Sequence, residues 1–534
     1  MNNEQIFTRL RELTEVGRLL ALERDTPTLL EQILRSAQRL TRADGGSLYR
    51  LDETGQFLRF ETVLNDSLGF WLGGTSGKPI PFPPLALYNE QGEPQNHSVV
   101  AYCAHRKHAV EVADAYTADG FDFAGAKRFD AEHHYRSTSF LTVPLLAHDG
   151  ELLGVLQLVN ARSIKGDVVP FASEDLAFVE ALTAQAAVAL ENQLLVLRLE
   201  ELFSRFANLI SVAIDEKSKH TSGHCQRVPA LTMLLAEAAA ATSTGPLASF
   251  QMNDADRREL QLAGNLHDCG KITTPEYVLD KSTKLFGLND RIDLIEARLE
   301  VLKSEKKLQA ADRLLKGEEA ARVAQWLETQ VAILDADQAF LRKTNFGVEK
   351  MQEDDMQRVQ QIAQKEWRAP NGERLPVLTK DEVDNLCIPY GTLTAGERQV
   401  INNHIVATIK MLESLPWPPH LKRVPEFAGG HHERMDGRGY PKGLTRDEMS
   451  VQARAMGIAD IFEAITAKDR PYKKPNTISE SLHILGKMAL GGHIDPDLFD
   501  VFVRQKVYLR YAELFLDDSQ IDEVDDNKIP GYQP

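Results

Sequence analysis

Cysteine is nearly missing from this chain. Four residues among 534 (Cys103, Cys225, Cys269 and Cys387) stand far apart with no CxxC pair, so neither a disulfide framework nor a thiolate metal site is expected. No apolar run approaches the length that spans a bilayer, and the first residues carry no secretion signal. Cationic excess is lacking too: 61 Lys and Arg face 78 Asp and Glu, a formal net charge of −17. A general nucleic-acid binder would show a basic face, so that class is disfavoured; a small anion in a local basic pocket is not. These absences lead to the expectation of a cytoplasmic protein with reduced thiols and no membrane span.

What is present is length and an ordinary globular composition. With 534 residues, 43% hydrophobic and 26% charged, two or three domains are expected. Residues 1–190 read as α/β, strand pairs with flanking helices. SLYRLDETGQFLRFETVL (47–64) alternates about an Asp-Glu-Thr-Gly turn, and FLTVPLLAHDG with ELLGVLQLVN makes a second hairpin. Between them, from Gly69 to about Asn96, GGTSGKPIPFPP lies in a stretch too broken for core, which reads as a loop covering a pocket. A helix starts near Ser173. Over 191–222, Leu195, Leu199, Leu202, Phe206, Leu209 and Ala213 step by four and three, a coiled-coil seam with no Gly or Pro from Ser173 until Gly223. The expectation is a stiff connector that pairs two copies; a helix packed on its own chain would show the same stripe.

The rest is helical in pattern and carries the chemistry. HTSGHCQRV (220–228) opens a helix, and AGNLHDCGK (263–271) ends another with adjacent His267 and Asp268. NNHIVATIKML (402–412) contributes His404, HHERMDGRGYP (431–441) contributes His431 and His432, and GIADIFEAI (457–465) sets Asp460 in an apolar helix. Singly, each has a bland explanation in core packing or capping. Together they place several polar groups in apolar runs, where an unpaired one would cost several kcal/mol. Metal ions remove that cost, and imidazole with carboxylate suits first-row transition metals.

Residues 139–193 resemble the second half of a GAF domain, carried by SFLTVPLLAHDGELLGVLQLVNA and PFASEDLAFVEALTAQAAVALENQ. Asn160, Phe171, Glu174 and Asp175 loosely match the pattern of GAF domains that bind cyclic nucleotides, although Ala161 stands where a Lys is expected. The alternative is that these residues hold the strand-to-helix turn. The ligand of this sensor module is unknown.

Further on, His, His-Asp with a trailing Gly-Lys, His, His-His-Glu-x-x-Asp-Gly-x-Gly-Tyr-Pro and Asp follow in order. This resembles the HD-GYP subgroup of HD-superfamily phosphohydrolases over about 205–285 and 390–505. The resemblance implies an all-α bundle with two or three divalent metals, iron or manganese, that hydrolyses cyclic di-GMP to pGpG or GMP. It implies His224, His267, Asp268, His404, His431, His432 and Asp460 as ligands, with Asp268 bridging. His220 stands where the family often has a Glu; it is either a further ligand or an exposed helix start. Asp268 and Lys271 are expected to be catalytic, with Lys271 meeting a phosphate oxygen as charge develops there. DRPYKKP (469–475) resembles the substrate-binding stretch, giving Arg470 and Lys473, or Lys474 in the neighbouring register. Gly439, Tyr440 and Pro441 shape a loop that the family also uses towards diguanylate-cyclase (GGDEF) domains.

The expected organisation is a GAF-like domain (1–190), a connector (191–222), an HD-GYP domain (223–285 and 390–505), an inserted arm (286–389) and an acidic tail (506–534). In the arm, Leu285, Leu288, Ile292, Ile295, Leu299 and Leu302, then Val323, Leu327, Leu334 and Leu341, suggest an antiparallel helical hairpin followed by a polar connector. The tail reads as poorly ordered. Two functions stand: a GAF-regulated cyclic-dinucleotide phosphodiesterase, for cyclic di-GMP or for cyclic GMP-AMP, and a catalytically silent receptor or scaffold.

Overall fold

The computed structural model describes residues 3–23, 25–217, 223–347, 350–468 and 475–533. The chain divides into two compact units, Met1–Leu202 and Phe203–Pro534. In the first, α1 (Asn3–Leu22) and α2 (Thr26–Thr41) precede β1 (Ala43–Leu51), β2 (Phe57–Asn65), β3 (Phe70–Gly73) and β4 (Leu85–Ala86). Then come α3 (Val99–Arg106), β5 (Val110–Val112), α4 (Ala124–His133), β6 (Phe140–Leu146), β7 (Leu152–Arg162), β8 (Val168–Val169) and α5 (Ser173–Lys217).

The strands form one antiparallel sheet in the order β3-β2-β1-β7-β6-β5. Both expected hairpins are present, β1 with β2 and β6 with β7. One face of the sheet packs on α1, α2 and α5, where Leu13, Leu20, Ile33, Leu34, Leu182 and Leu190 meet Leu48, Leu141 and Leu156. The other face carries α3, α4 and the Gly/Pro-rich loop. Asp25 starts α2 by accepting from Thr28 N at 3.0 Å, satisfying a free helix-end amide. Asn160 sits at φ 57°, and its Oδ1 accepts from Thr138 N at 2.7 Å and Ser139 N at 3.2 Å. Phe171 is buried, and Asp175 caps the start of α5 through Ala172 N while pairing with Arg9 at 2.8 Å. These contacts hold the strand-to-helix turn. Along α5, Leu195, Leu199, Leu202, Phe206 and Leu209 are all more than half exposed.

The second unit is helical apart from a small hairpin. It holds α6 (His224–Ala240), α7 (Asp254–Leu266), α8 (Glu276–Leu279), α9 (Ile292–Leu315), α10 (Ala320–Asn345) and α11 (Glu353–Ala363). β9 (Glu366–Arg368) and β10 (Arg374–Pro376) pair before α12 (Lys380–Leu386). α13 (Ala395–Glu413), α14 (Val424–Gly429), α15 (Val451–Thr466), α16 (Ile478–Leu490), α17 (Pro496–Arg504) and α18 (Val507–Phe515) complete it.

Two expectations for this unit are corrected. The stretch before Pro389 is not a plain polar connector: Val359, Ile362, Val377, Leu378 and Leu386 join Ile295, Leu299 and Leu341 in a separate small core. Leu288, placed on the seam by periodicity, is 96% exposed. The residues after 505 are not a loose tail either. Val507, Tyr508, Tyr511 and Ala512 on α18 are buried in the main core, because their apolar face outweighs the acidic residues around it. Lys284 closes the base of the arm, donating to Leu386 O at 2.9 Å and Ile388 O at 2.8 Å. Among the described residues, no helix is long and apolar enough to cross a membrane.

Candidate metal centre

Three helix ends and two helix interiors converge in the second unit. His224 is the first residue of α6, after Gly223 at φ 77°. α7 starts in a capping box between Asn253 and Asp256 and ends at His267 and Asp268. The chain then enters a short 3₁₀ turn, Cys269–Thr273, in which Gly270 N donates to Thr408 Oγ1 at 2.9 Å. Glycine is required there: a Cβ would lie 1.9 Å from the carbonyl oxygen of His404. That close approach of turn to α13 brings Asp268 beside His404, with Oδ1 to Nε2 at 3.2 Å. His431 and His432 follow the end of α14, and α15 supplies Asp460.

The ring orientations follow from backbone carbonyls. Nδ1 donates to the carbonyl three residues earlier in His267 (Gly264, 2.7 Å), His404 (Ile401, 2.6 Å) and His431 (Ala428, 2.7 Å). A carbonyl can only accept, so Nδ1 carries the proton and Nε2 keeps its lone pair. In His224 the same part is played by Glu463, whose Oε2 lies 2.5 Å from Nδ1, while Nε2 faces Asp268 at 3.1 Å and Asp460 at 3.4 Å.

The inward atoms form two groups sharing Asp268: His224, His267 and Asp268, and Asp268, His404, His431 and His432. Within each, the ligand atoms lie within 4.8 Å of one another. Nε2 of His267, Nε2 of His431 and Oδ1 of Asp268 are buried without a hydrogen bond. Orphaned polar atoms of this kind are expensive in a core, and imidazole with carboxylate is a donor set that divalent transition metals satisfy. The residues fit such ions.

Charge is arranged to match. Burial, with His267 beside it, pushes His431 down to about 4, and burial with His431 and His404 holds His432 well below its usual range. Burial opposes charge on His224 as well, but hydrogen bonds to Asp268 and Glu463 outweigh it and push that imidazole up to about 10. Asp268 is held far below the carboxylate range despite burial, by Lys271 and His267. The ammonium of Lys271 contacts Asp268 Oδ2 and, against burial, is pushed up to about 12 by Asp268 and Asp460.

The sequence-derived positions His224, His267, Asp268, Lys271, His404, His431, His432 and Asp460 therefore meet at one place. Tyr440 stacks on His432, ring centroids 4.9 Å apart, with a cis bond to Pro441. Gly439 lies so close to Glu433 that a Cβ would sit 2.5 Å from its Cα. His220, Arg470, Lys473 and Lys474 lie outside the described residues.

Three supporting residues escaped the sequence reading. Glu463 orients His224 and accepts from Arg227 Nε at 2.7 Å; its spacing of three from Asp460 on one helix was the available signal. Glu433 is buried and accepts from Lys442 N at 2.7 Å and Leu444 N at 2.9 Å, holding the loop that carries Tyr440. Lys217, the last residue of α5, donates to the carbonyls of Lys271, Ile272 and Thr274 at 3.2, 2.5 and 2.6 Å. No local pattern marks it.

Comparison with known proteins agrees with both units. A family profile described as GAF domain matches residues 25–190, and one described as HD domain matches 379–498, taking in His404, His431, His432 and Asp460. A probable cyclic di-GMP phosphodiesterase of Vibrio cholerae is 33% identical over 141 residues, 25% of this chain and 32% of that protein. A cyclic di-GMP phosphodiesterase of Pseudomonas aeruginosa is 43% identical over 114 residues, covering 21% and 26%. The 3'3'-cGAMP-specific phosphodiesterase 1 of Vibrio cholerae is 42% identical over 81 residues, covering 15% and 19%. The chain thus spans about a third or less of the length of these curated relatives. Among solved structures, a GAF domain/HD domain protein from Geobacter sulfurreducens aligns with TM-score 0.24 and 15% identity, over 33% of this chain and 98% of that one.

Proposed function

From a chain that joins a GAF domain to an HD domain, we propose a cytoplasmic, metal-dependent phosphodiesterase of a cyclic dinucleotide, regulated by its GAF domain. The observation that carries this reading is the shared carboxylate: Asp268 stands between two clusters of imidazoles, with buried Nε2 and Oδ1 atoms that lack hydrogen bonds. The ligands in this reading are His224, His267, Asp268, His404, His431, His432 and Asp460. Two or three divalent ions, iron or manganese, would supply Lewis-acid activation of water and neutralise phosphate charge.

The chain's own residues do the rest. Three backbone carbonyls and Glu463 fix the imidazoles before anything binds, so little reorganisation accompanies the reaction. Lys271 carries its proton throughout the neutral range and offers a fixed positive charge at Asp268. Against a phosphodiester, that ammonium stabilises the oxygen on which charge develops. Arg470 and Lys473 are assigned to the substrate's phosphates or guanine edges by sequence. Tyr440 stacks on His432 at the edge of the cluster, and the Gly439–Pro441 loop is read as a docking point for a GGDEF domain. The exposed seam from Leu195 to Leu209 is read as the interface of a homodimer.

Relatives named for cyclic di-GMP and for 3'3'-cGAMP both align with this chain, so both dinucleotides belong in the test. Protein purified without oxygen is assayed for metal content and for hydrolysis of each, beside a His431→Ala/His432→Ala variant. Turnover with at least two ions per chain, lost together with metal in the variant, supports the reading. A fully metal-loaded chain that cleaves neither makes it a receptor or scaffold. Absence of bound metal refutes the proposal.

A further inference from the structure

The first unit contains a cavity of about 590 Å³ between the sheet and the segment that includes GGTSGKPIPFPP, within the range that holds drug-sized ligands, roughly 300–1,000 Å³. Eight of its 25 lining residues are aromatic, against 7% of the chain. Five of these rings run in a continuous series. Tyr49 touches Phe60 (centroids 4.4 Å), Phe60 touches Phe82 (5.5 Å), Phe82 touches Phe129 (6.0 Å) and Phe129 touches Phe70 (6.1 Å). Phe82 comes from the Gly/Pro-rich loop and Phe129 from α4, so the series passes from the strands across the covering segment.

Charge in the lining is as informative as its rings. Among the described residues, the lining contains no Lys, Arg or His; the imidazole of His133 stacks on Phe129 (centroids 4.3 Å) but is not part of the lining. The one ionisable carboxylate, Asp122, is exposed at the rim and accepts from Ala124 N at 2.7 Å. An anion brought under this loop would lose its hydration with no cation in the lining to replace it, and with a carboxylate of like sign among the lining residues. The residues that loosely match the cyclic-nucleotide pattern do not help it, since Asn160 and Asp175 are committed to backbone amides. Two polar side chains of the lining are weakly paired with each other. The Tyr49 hydroxyl meets Gln157 Oε1 at 3.5 Å, the limit of a hydrogen bond, while Gln157 Nε2 donates to Thr142 Oγ1 at 3.2 Å. Both side chains belong to the cavity lining.

We propose that this cavity binds an uncharged, planar heteroaromatic molecule, stacked among Tyr49, Phe60, Phe82 and Phe129 and hydrogen-bonded through Tyr49 and Gln157, and that it rejects cyclic nucleotides. Offset and edge contacts between rings favour a flat π-system over a flexible chain, because the chain loses rotational freedom and gains no quadrupole contact. The site lies wholly in the first unit, so it stands or falls whether or not the second hydrolyses a dinucleotide.

The test uses the full-length protein and a matched pair of fluorescent probes. N-phenylnaphthylamine and anilinonaphthalene sulfonate share a ring system and differ by one negative charge. The uncharged probe is expected to bind at least about tenfold more tightly, and acridone, a rigid uncharged tricycle, to displace it at least about tenfold better than dodecanol. Ala126→Trp fills the cavity from α4 and removes binding; Phe82→Ala, on the loop, weakens it about fivefold or more. Circular dichroism and metal content report that both variants remain folded. Equal affinity for the two probes, displacement by cyclic GMP or by dodecanol as effective as by acridone, or binding untouched by both substitutions overturns the proposal.

Discussion

Oε2 of Glu463 lies 2.5 Å from Nδ1 of His224, on the side of the ring opposite Asp268, and one turn along α15 from Asp460. Arg227 holds the other carboxylate oxygen at 2.7 Å. Burial alone would favour the neutral acid, but the bond and charge of His224, then Arg227, keep Glu463 down at about 2. Its carboxylate therefore dictates which nitrogen of His224 points inward. Glu463→Gln is expected to weaken metal binding by about 10- to 100-fold while the fold persists. Competition against a calibrated chelator measures this, and an unchanged affinity would remove Glu463 from the supporting set.

With metal chelated away, two imidazoles shift in opposite senses around their ordinary value of 6.5: His431 to about 4 and His224 to about 10. Between pH 4 and 6.5 the folded chain holds fewer protons at His431 than the unfolded chain, so stability rises with pH. Between 6.5 and 10 it holds more at His224, so stability falls as pH rises. The chelated protein should accordingly be most stable near pH 6.5, with lower urea midpoints on either side. Metal must also displace the His224 proton, so affinity should climb by about tenfold per pH unit above neutrality. A flat dependence on pH would contradict both.

Gly270→Ala is expected to damage the centre without touching a ligand. The added methyl would meet His404 O at 1.9 Å and Thr408 N at 2.6 Å, both backbone atoms of α13. Overpacking of this kind costs about 1–3 kcal/mol, and relief requires α13 to move away from Asp268. Loss of bound metal together with a lowered denaturation midpoint is the expected result. Metal content at the original level would show that the helix can shift without cost.

Lys217→Met is expected to loosen the turn that carries Lys271, because three carbonyls lose a charged donor. For a half-buried lysine the loss is about 1 kcal/mol. Hydrogen exchange at the amides of residues 271–274 should quicken several-fold in the variant and recover in Lys217→Arg. Identical exchange in all three proteins would leave Lys217 without a part in the turn.

Much of this was legible in the sequence because the relevant signals are local. A helix holding His404 within an apolar run, and paired imidazoles before a Gly-rich turn, announce themselves within a dozen residues. So do the two hairpins of the first unit, through alternation and turn chemistry. What escaped depends on distance: Glu463 meets His224 across 239 positions, and Lys217 meets Thr274 across 57. Leu288 shows the limit of periodicity, since a residue can keep step with a seam beyond the point where a partner covers it. The acidic composition after residue 505 hid α18, because Tyr511 and Val507 need only one face to bury.

The order in which the centre's residues leave the ribosome is itself consequential. His224, His267 and Asp268 precede the arm, while His404, His431, His432 and Asp460 follow it. The arm has its own core and closes its base through Lys284. At cytosolic synthesis speeds, roughly 10–40 s separate the emergence of Asp268 from that of Asp460. Throughout that interval the nascent chain exposes a half-built cluster whose polar atoms have nothing to bind. A chain cut short just past the arm holds every residue of the insertion's core and base but only His224, His267 and Asp268 of the cluster, which makes such fragments good substrates for quality control.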